Sequence, residues 1–161
     1  MSSSRTRQRS ATRQDDWLLL DQQLCFALYA ASLAMTKLYK PLLDPLGLTY
    51  PQYLVMLVLW QDDGLTVSQI GERLALDSGT LTPLLKRLAS AGLVQRLRDT
   101  ADERRVLLQL TAAGRALKAR AVRVPQTITA ASGCELNELS SLTARLQALR
   151  QQLTASLLHV E

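Results

Sequence analysis

Cys25 and Cys134 are the two cysteines of this 161-residue chain, and their thiols are its clearest candidates for covalent chemistry. The thiolate is the reactive form, a nucleophile toward peroxide oxygen or toward another sulfur. Tyr29 follows Cys25 by four residues, on the same face of a helix, and Tyr39 and Tyr50 come further on. Phenolic hydroxyls aimed at a sulfur favour its charged form. Cys25 is read as lying mid-helix among the apolar neighbours Leu24, Phe26 and Leu28. On the residues alone, a lone cysteine in such a helix is more readily a small buried hydrophobe. Cys134 is read in the first turn of the last helix, where the positive end of the helix dipole favours thiolate.

A second chemistry is recognition of a polyanion. The formal charge is +5, with 19 Lys and Arg against 14 Asp and Glu, which suits a nucleic-acid partner without demanding one. Between Arg73 and Arg105 seven cations face four anions, so the excess there is modest. Ser78, Thr80, Thr82, Lys86 and Arg87 share the polar face of one expected helix. Short hydroxyl side chains let a helix approach phosphates and base edges closely, and the cations neutralise phosphates. Asp102, Arg104 and Arg105 lie at a charged hairpin tip. An ordinary solvated helix beside an ordinary hairpin fits the charges equally well. Neither His159 nor the dispersed carboxylates suggest a metal site, and no cofactor motif is present.

The elements that must position these groups follow from periodicity and punctuation. Leu and Ala dominate, and aromatics are only 4% of the chain, so a mainly α protein with a small β-hairpin is expected. One long helix is read from Asp15 to about Leu43, apolar around much of its circumference, which calls for cover by a second subunit. Pro41, Pro45 and Gly47 are expected to end it. Thr49-Tyr50-Pro51-Gln52 and Thr66-Val67-Ser68-Gln69 read as capping boxes opening two helices. A third helix carries Leu81, Leu84, Leu85 and Leu88. A start at Gly79 rather than Asp77 makes Pro83 harmless there.

Residues 93–98 and 105–110 form two β-compatible runs joined by the charged tip. Thr111 opens a helix with a basic face of Arg115, Lys118, Arg120 and Arg123, which Pro125 bends or breaks. Ser132-Gly133-Cys134-Glu135 reads as a third capping box before a Leu stripe from Leu136 to Leu157, suited to pairing with other helices.

Helix, turn, helix and charged hairpin is the order of a winged helix-turn-helix. The runs Leu81-Thr82-Pro83-Leu84-Leu85-Lys86-Arg87-Leu88, Gly92-Leu93-Val94, Asp102-Glu103-Arg104-Arg105 and Leu110-Thr111-Ala112-Ala113-Gly114 resemble the MarR family of dimeric regulators. The resemblance covers about residues 16 to 158. It implies double-stranded operator DNA as partner, with Arg104 in the minor groove and Asp102 orienting it. The spacing of Cys25, Tyr29, Tyr39 and Tyr50 resembles the OhrR branch, whose members sense organic hydroperoxides. That implies a peroxide-reactive Cys25 receiving hydrogen bonds from Tyr39 and Tyr50, partly across the dimer. It also implies an intersubunit disulfide between Cys25 and Cys134, or a low-molecular-weight thiol in place of Cys134, and release of the operator.

The expected organisation is a disordered basic tail over 1–14, an N-terminal dimerisation and sensor helix over 15–48, a winged helix-turn-helix over 49–112, and C-terminal dimerisation helices over 113–161, in one structural domain. With no signal-peptide pattern and no apolar run long enough for a membrane span, a cytoplasmic protein is expected. Two other readings stand beside this one. A regulator released by a small phenolic or aromatic ligand shares the DNA features and not the thiol chemistry. A small thiol peroxidase is disfavoured, since the sequence has no βαβ alternation, no Cys-x-x-Cys and no arginine near Cys25.

Overall fold

The computed structural model describes residues 16–102 and 104–157. The tail over 1–14, Glu103 and His159 lie outside them. The fold is mainly helical with one small antiparallel sheet.

The long helix expected from Asp15 begins later. Two short 3-10 turns, Asp16–Leu18 and Leu20–Gln22, precede helix α1, Leu24–Leu43. The Gln23 side chain donates to the carbonyls of Trp17 and Leu19 and ties these turns to the helix start. At the other end, Pro41 does not stop α1, which continues to Leu43. Burial of Leu43 against the core and a Lys40–Asp44 ion pair of 2.9 Å hold the last turn despite the missing donor. A third 3-10 turn, Asp44–Leu46, closes the segment.

The two threonine capping boxes form as expected. Thr49 caps α2, Tyr50–Gln61, and Thr66 caps α3, Val67–Leu74, each exchanging bonds with the glutamine three residues on. Helix α4, Ser78–Ser90, starts earlier than expected, because Asp77 rather than Gly79 is its cap. The Asp77 carboxylate accepts from the Thr80 amide at 2.8 Å and from the Thr80 hydroxyl at 2.9 Å. These two bonds outweigh the internal hydrogen bond lost at Pro83.

The wing consists of β2, Val94–Arg98, and β3, Val106–Leu110, paired from Val94↔Leu110 to Arg98↔Val106. The sequence reading missed a third strand, β1, Leu65–Thr66, which pairs with the other edge of β3. At two residues it is too short to show an alternation. Asp63 fastens this sheet: its carboxylate accepts from the amides of Gly64 (2.9 Å) and Leu110 (2.8 Å) and pairs with Arg115 at 3.0 Å.

Thr111 caps α5, Ala112–Ala121. The basic face expected of this helix is largely engaged with the fold. Besides Arg115, Lys118 donates to the Trp60 carbonyl at 2.9 Å and Arg120 to the Pro45 carbonyl at 2.7 Å. Gly114 is buried, and its carbonyl accepts from the Trp60 indole at 2.9 Å. A Cβ placed on Gly114 would lie 2.1 Å from the Leu93 carbonyl oxygen, a backbone atom. Gly114→Ala must therefore push α5 off the sheet, and is expected to destabilise the protein by roughly 1–3 kcal/mol. Thermal unfolding followed by circular dichroism measures this; an unchanged midpoint would show that the approach is not tight.

The break ascribed to Pro125 falls earlier, at Val122, between α5 and α6, Arg123–Ser132. Pro125 has no N–H for the carbonyl of Ala121, four residues back and the last residue of α5, so the discontinuity belongs there. Gly133, at φ +66°, closes α6, and α7, Leu136–Leu157, follows. Ser132 is thus the last residue of α6 rather than the cap of α7. The Glu138 carboxylate instead accepts from the Glu135 amide at 2.9 Å at the entrance to α7.

The buried core runs from Leu43 to Ile128, with Met56, Leu59, Ile70, Leu81, Leu85 and Leu108 at its centre. Outside it, α7 buries none of its residues and α1 buries only Leu43. Trp17 is 78% exposed and Leu157 71% exposed. No single helix among the described residues is long and apolar enough to cross a membrane. Nor does any group of three or more His, Cys, Asp or Glu among them form a metal cluster.

Candidate nucleic-acid interface and thiol site

Helices α3 and α4 are joined by a tight turn in which Ala75 takes the left-handed conformation (φ +54°) and the Leu76 amide returns to the Gly71 carbonyl at 2.9 Å. Leu81, Leu85 and Leu88 pack α4 inward. Ser78, Thr80, Lys86 and Arg87 are exposed on its outer surface and Thr82 is half-exposed.

The hydroxyls of Thr80 and Thr82 on this face are already engaged. Thr80 donates to Asp77, and Thr82 donates to the Ser78 carbonyl at 2.7 Å. Their remaining lone pairs point the chemistry toward acceptance, which suits amino groups on base edges rather than phosphates. The hydrogen bonds from the Thr80 amide and then its hydroxyl hold the Asp77 carboxyl below its ordinary value of 3.8.

The wing tip is built by its own carboxylates. Asp102 accepts from the Arg104 amide at 3.0 Å, and Asp99 accepts from the Ala101 amide at 2.9 Å. The Asp102 bond ties down the Arg104 backbone, and Arg104 is exposed. Arg105 faces Asp99 at 4.0 Å. Arg96 and Arg98, two residues apart on β2 and both exposed, extend this cationic surface. Their alternation along the strand was the signal that could have nominated them.

The thiol residues are placed differently from expectation. Cys25 is the second residue of α1 and not mid-helix, because the turns before Gln23 are not α-helical. It lies in the first turn, where backbone N–H groups have no partner within the helix. Cys25 is exposed, and Tyr29 is 62% exposed.

Tyr39 and Tyr50 meet, with ring centroids 4.7 Å apart, and Tyr53, which the sequence reading did not include, joins them at 5.9 Å from Tyr39. Burial, with smaller contributions from the neighbouring phenols Tyr50 and Tyr53, pushes Tyr39 up to about 12. Its hydroxyl stays protonated and able to donate at any physiological pH. Fourteen residues of helix separate Cys25 from Tyr39, about 20 Å along the axis. One chain thus assembles the phenols and leaves Cys25 apart from them.

Cys134 is not in the first turn of α7. It lies in the link between α6 and α7 and is exposed, its amide donating to the Ser132 hydroxyl at 3.2 Å and its thiol to the Ser132 carbonyl at 3.6 Å.

Comparison with known proteins places this arrangement. The family described as transcriptional regulator SarA/Rot matches residues 37–121. The chain is 52% identical over 141 residues to the organic hydroperoxide resistance transcriptional regulator of Bacillus subtilis (strain 168), spanning 85% of this chain and 96% of that one. It is 51% identical over 146 residues to the HTH-type transcriptional regulator TtmR of Methylorubrum extorquens (strain PA1), spanning 91% and 75%. Among solved structures, reduced AbfR bound to DNA is similar with a TM-score of 0.75 and 34% identity, covering 88% of this chain and 97% of that one. AbfR, from Staphylococcus epidermidis, is also known overoxidised on DNA and in a disulfide-formed state. These relatives are transcriptional regulators rather than enzymes. The chain belongs to the MarR family of winged helix-turn-helix transcriptional regulators, in the branch of the organic hydroperoxide resistance regulators.

Proposed function

We propose that this protein is a homodimeric repressor that senses organic hydroperoxides through Cys25 and releases operator DNA on oxidation, derepressing a peroxide-resistance gene. The observation that carries the redox reading is the separation of Cys25 from the Tyr39–Tyr50 pair within one chain. A second copy covering the exposed apolar surface of α1 would bring them together. The reading is supported by the Bacillus subtilis relative and by the oxidation states in which AbfR is known.

The Cys25 thiolate attacks the terminal oxygen of the hydroperoxide and the O–O bond breaks. The alkoxide leaves as the alcohol with a proton, and Cys25 becomes a sulfenic acid. The thiolate of Cys134 in the partner then attacks the sulfenic sulfur, the S–O bond breaks, the hydroxide leaves as water after taking a proton from solvent, and an intersubunit disulfide remains. A disulfide demands Cα atoms within about 7 Å. Forming it moves the link between α6 and α7 and changes the spacing of the two α4 helices.

On DNA, α4 enters the major groove with Ser78, Thr80 and Thr82 toward base edges, while Lys86 and Arg87 meet phosphates. The wing places Arg104 in the minor groove, with Arg105 beside it. Arg104→Ala is expected to weaken operator binding by roughly 1–3 kcal/mol, and Lys86→Ala to lower the salt slope by about 1. Fluorescence anisotropy titrations at several salt concentrations read both. Unaltered affinity in Arg104→Ala would remove the wing from the interface.

The redox cycle is tested by adding cumene hydroperoxide to operator complexes. The parent is expected to dissociate and to run as a covalent dimer on non-reducing gels. Cys25→Ser should stay bound, and Cys134→Ser should form no covalent dimer. Release of Cys25→Ser as readily as the parent would contradict the thiol mechanism and favour regulation by a bound small ligand.

A further inference from the structure

We infer a binding site for an apolar monocarboxylate in the cleft where the end of α1 meets α5 and α6. The cleft has a volume of about 460 Å³, within the range of small-molecule sites. Pro41, Leu42, Leu46 and Val124 supply an apolar wall, and the guanidinium-bearing residues lining it are Arg120 and Arg123. Among the described residues no acidic side chain lines it. The nearest candidate in sequence, Asp44, is paired with Lys40 at 2.9 Å.

Cations beside an apolar wall select a ligand with one anionic end and a hydrocarbon body. Inorganic phosphate would leave the wall uncovered, and an alcohol would leave the guanidinium groups unmatched. Arg120 is oriented by its 2.7 Å bond to the Pro45 carbonyl, and its other N–H groups remain to receive a carboxylate. Arg123 stands at the first position of α6, directly after the break at Val122. The site therefore spans a helix discontinuity, and its ligand contacts the segment leading into α2 as well as α5 and α6. The site is separate from Cys25 and independent of the redox reading.

The test uses the full-length protein, reduced, with octanoate as probe. Binding is followed by isothermal titration calorimetry and by methyl NMR shifts of Leu42, Leu46 and Val124. Octanoate is expected to bind and shift these methyls. Arg123→Ala should weaken binding roughly tenfold, as expected for a lost charge-assisted hydrogen bond, with Arg123→Lys recovering part of it. Arg123 is exposed, so the variant should keep the parent's circular dichroism spectrum. Octanol binding as tightly as octanoate, phosphate binding as tightly as octanoate, or octanoate affinity unchanged in Arg123→Ala would each overturn the assignment.

Discussion

Leu146→Glu combined with Leu153→Glu is expected to turn the protein into a monomer and to weaken operator binding about a thousandfold. Helix α7 has 22 residues and is about 33 Å long, yet it buries none of them within its own chain. Isolated helices gain little from propensity alone, so this one needs tertiary or quaternary cover. Leu139, Leu142, Leu146, Leu149 and Leu153 alternate at spacings of three and four, the seam of a helix-pairing surface. The exposed Trp17, Leu20 and Leu24 of the opening segment supply further apolar surface for the same purpose. A second copy fits both, as two winged units reading a two-fold operator require. Two carboxylates on the seam would have to be buried unpaired, at a cost that exceeds what they displace. Sedimentation velocity gives the oligomeric state and anisotropy the affinity. A double variant that remains dimeric at micromolar concentration would place the interface elsewhere.

Tyr39→Phe combined with Tyr50→Phe is expected to slow Cys25 oxidation by roughly 10- to 100-fold, each hydroxyl contributing about one charge-assisted hydrogen bond to the thiolate. Phenylalanine keeps the ring packing of the 4.7 Å pair, so folding should be little affected. The protonated state of Tyr39, secured by burial, is what qualifies it as a donor. The rate is measured by sulfenate trapping after a cumene hydroperoxide pulse. Parent-like rates in the double variant would exclude the phenols from the chemistry.

Much of the fold is legible in the sequence because its punctuation is local. Thr49 with Gln52, and Thr66 with Gln69, are contacts between neighbours, and both boxes form. The hairpin over 94–110 is equally local in its pairing. Where reading and structure part, competition between local partners decides. Asp77 outbids Gly79 by binding Thr80 twice, and the left-handed Gly133 takes Ser132 into the helix before it, moving Cys134 into a link. Long-range ties carry no sequence signature: nothing in the spacing of Asp63, Leu110 and Arg115 announces that one carboxylate joins them. Tyr39 and Tyr50 were nominated by spacing, whereas Tyr53 became visible only through its ring contacts.

In the proposed mechanism each thiol site is built from two chains, Cys25 from one protomer and Tyr39 with Tyr50 from its partner. A mixed dimer tests it most directly, pairing one Cys25→Ser protomer with one Tyr39→Phe, Tyr50→Phe protomer through two affinity tags. Its single Cys25 belongs to the chain without the hydroxyls and faces the chain that retains them. This cysteine is expected to form sulfenate at the parent rate. If it reacts as slowly as in the Tyr39→Phe, Tyr50→Phe homodimer, the site is not shared between chains.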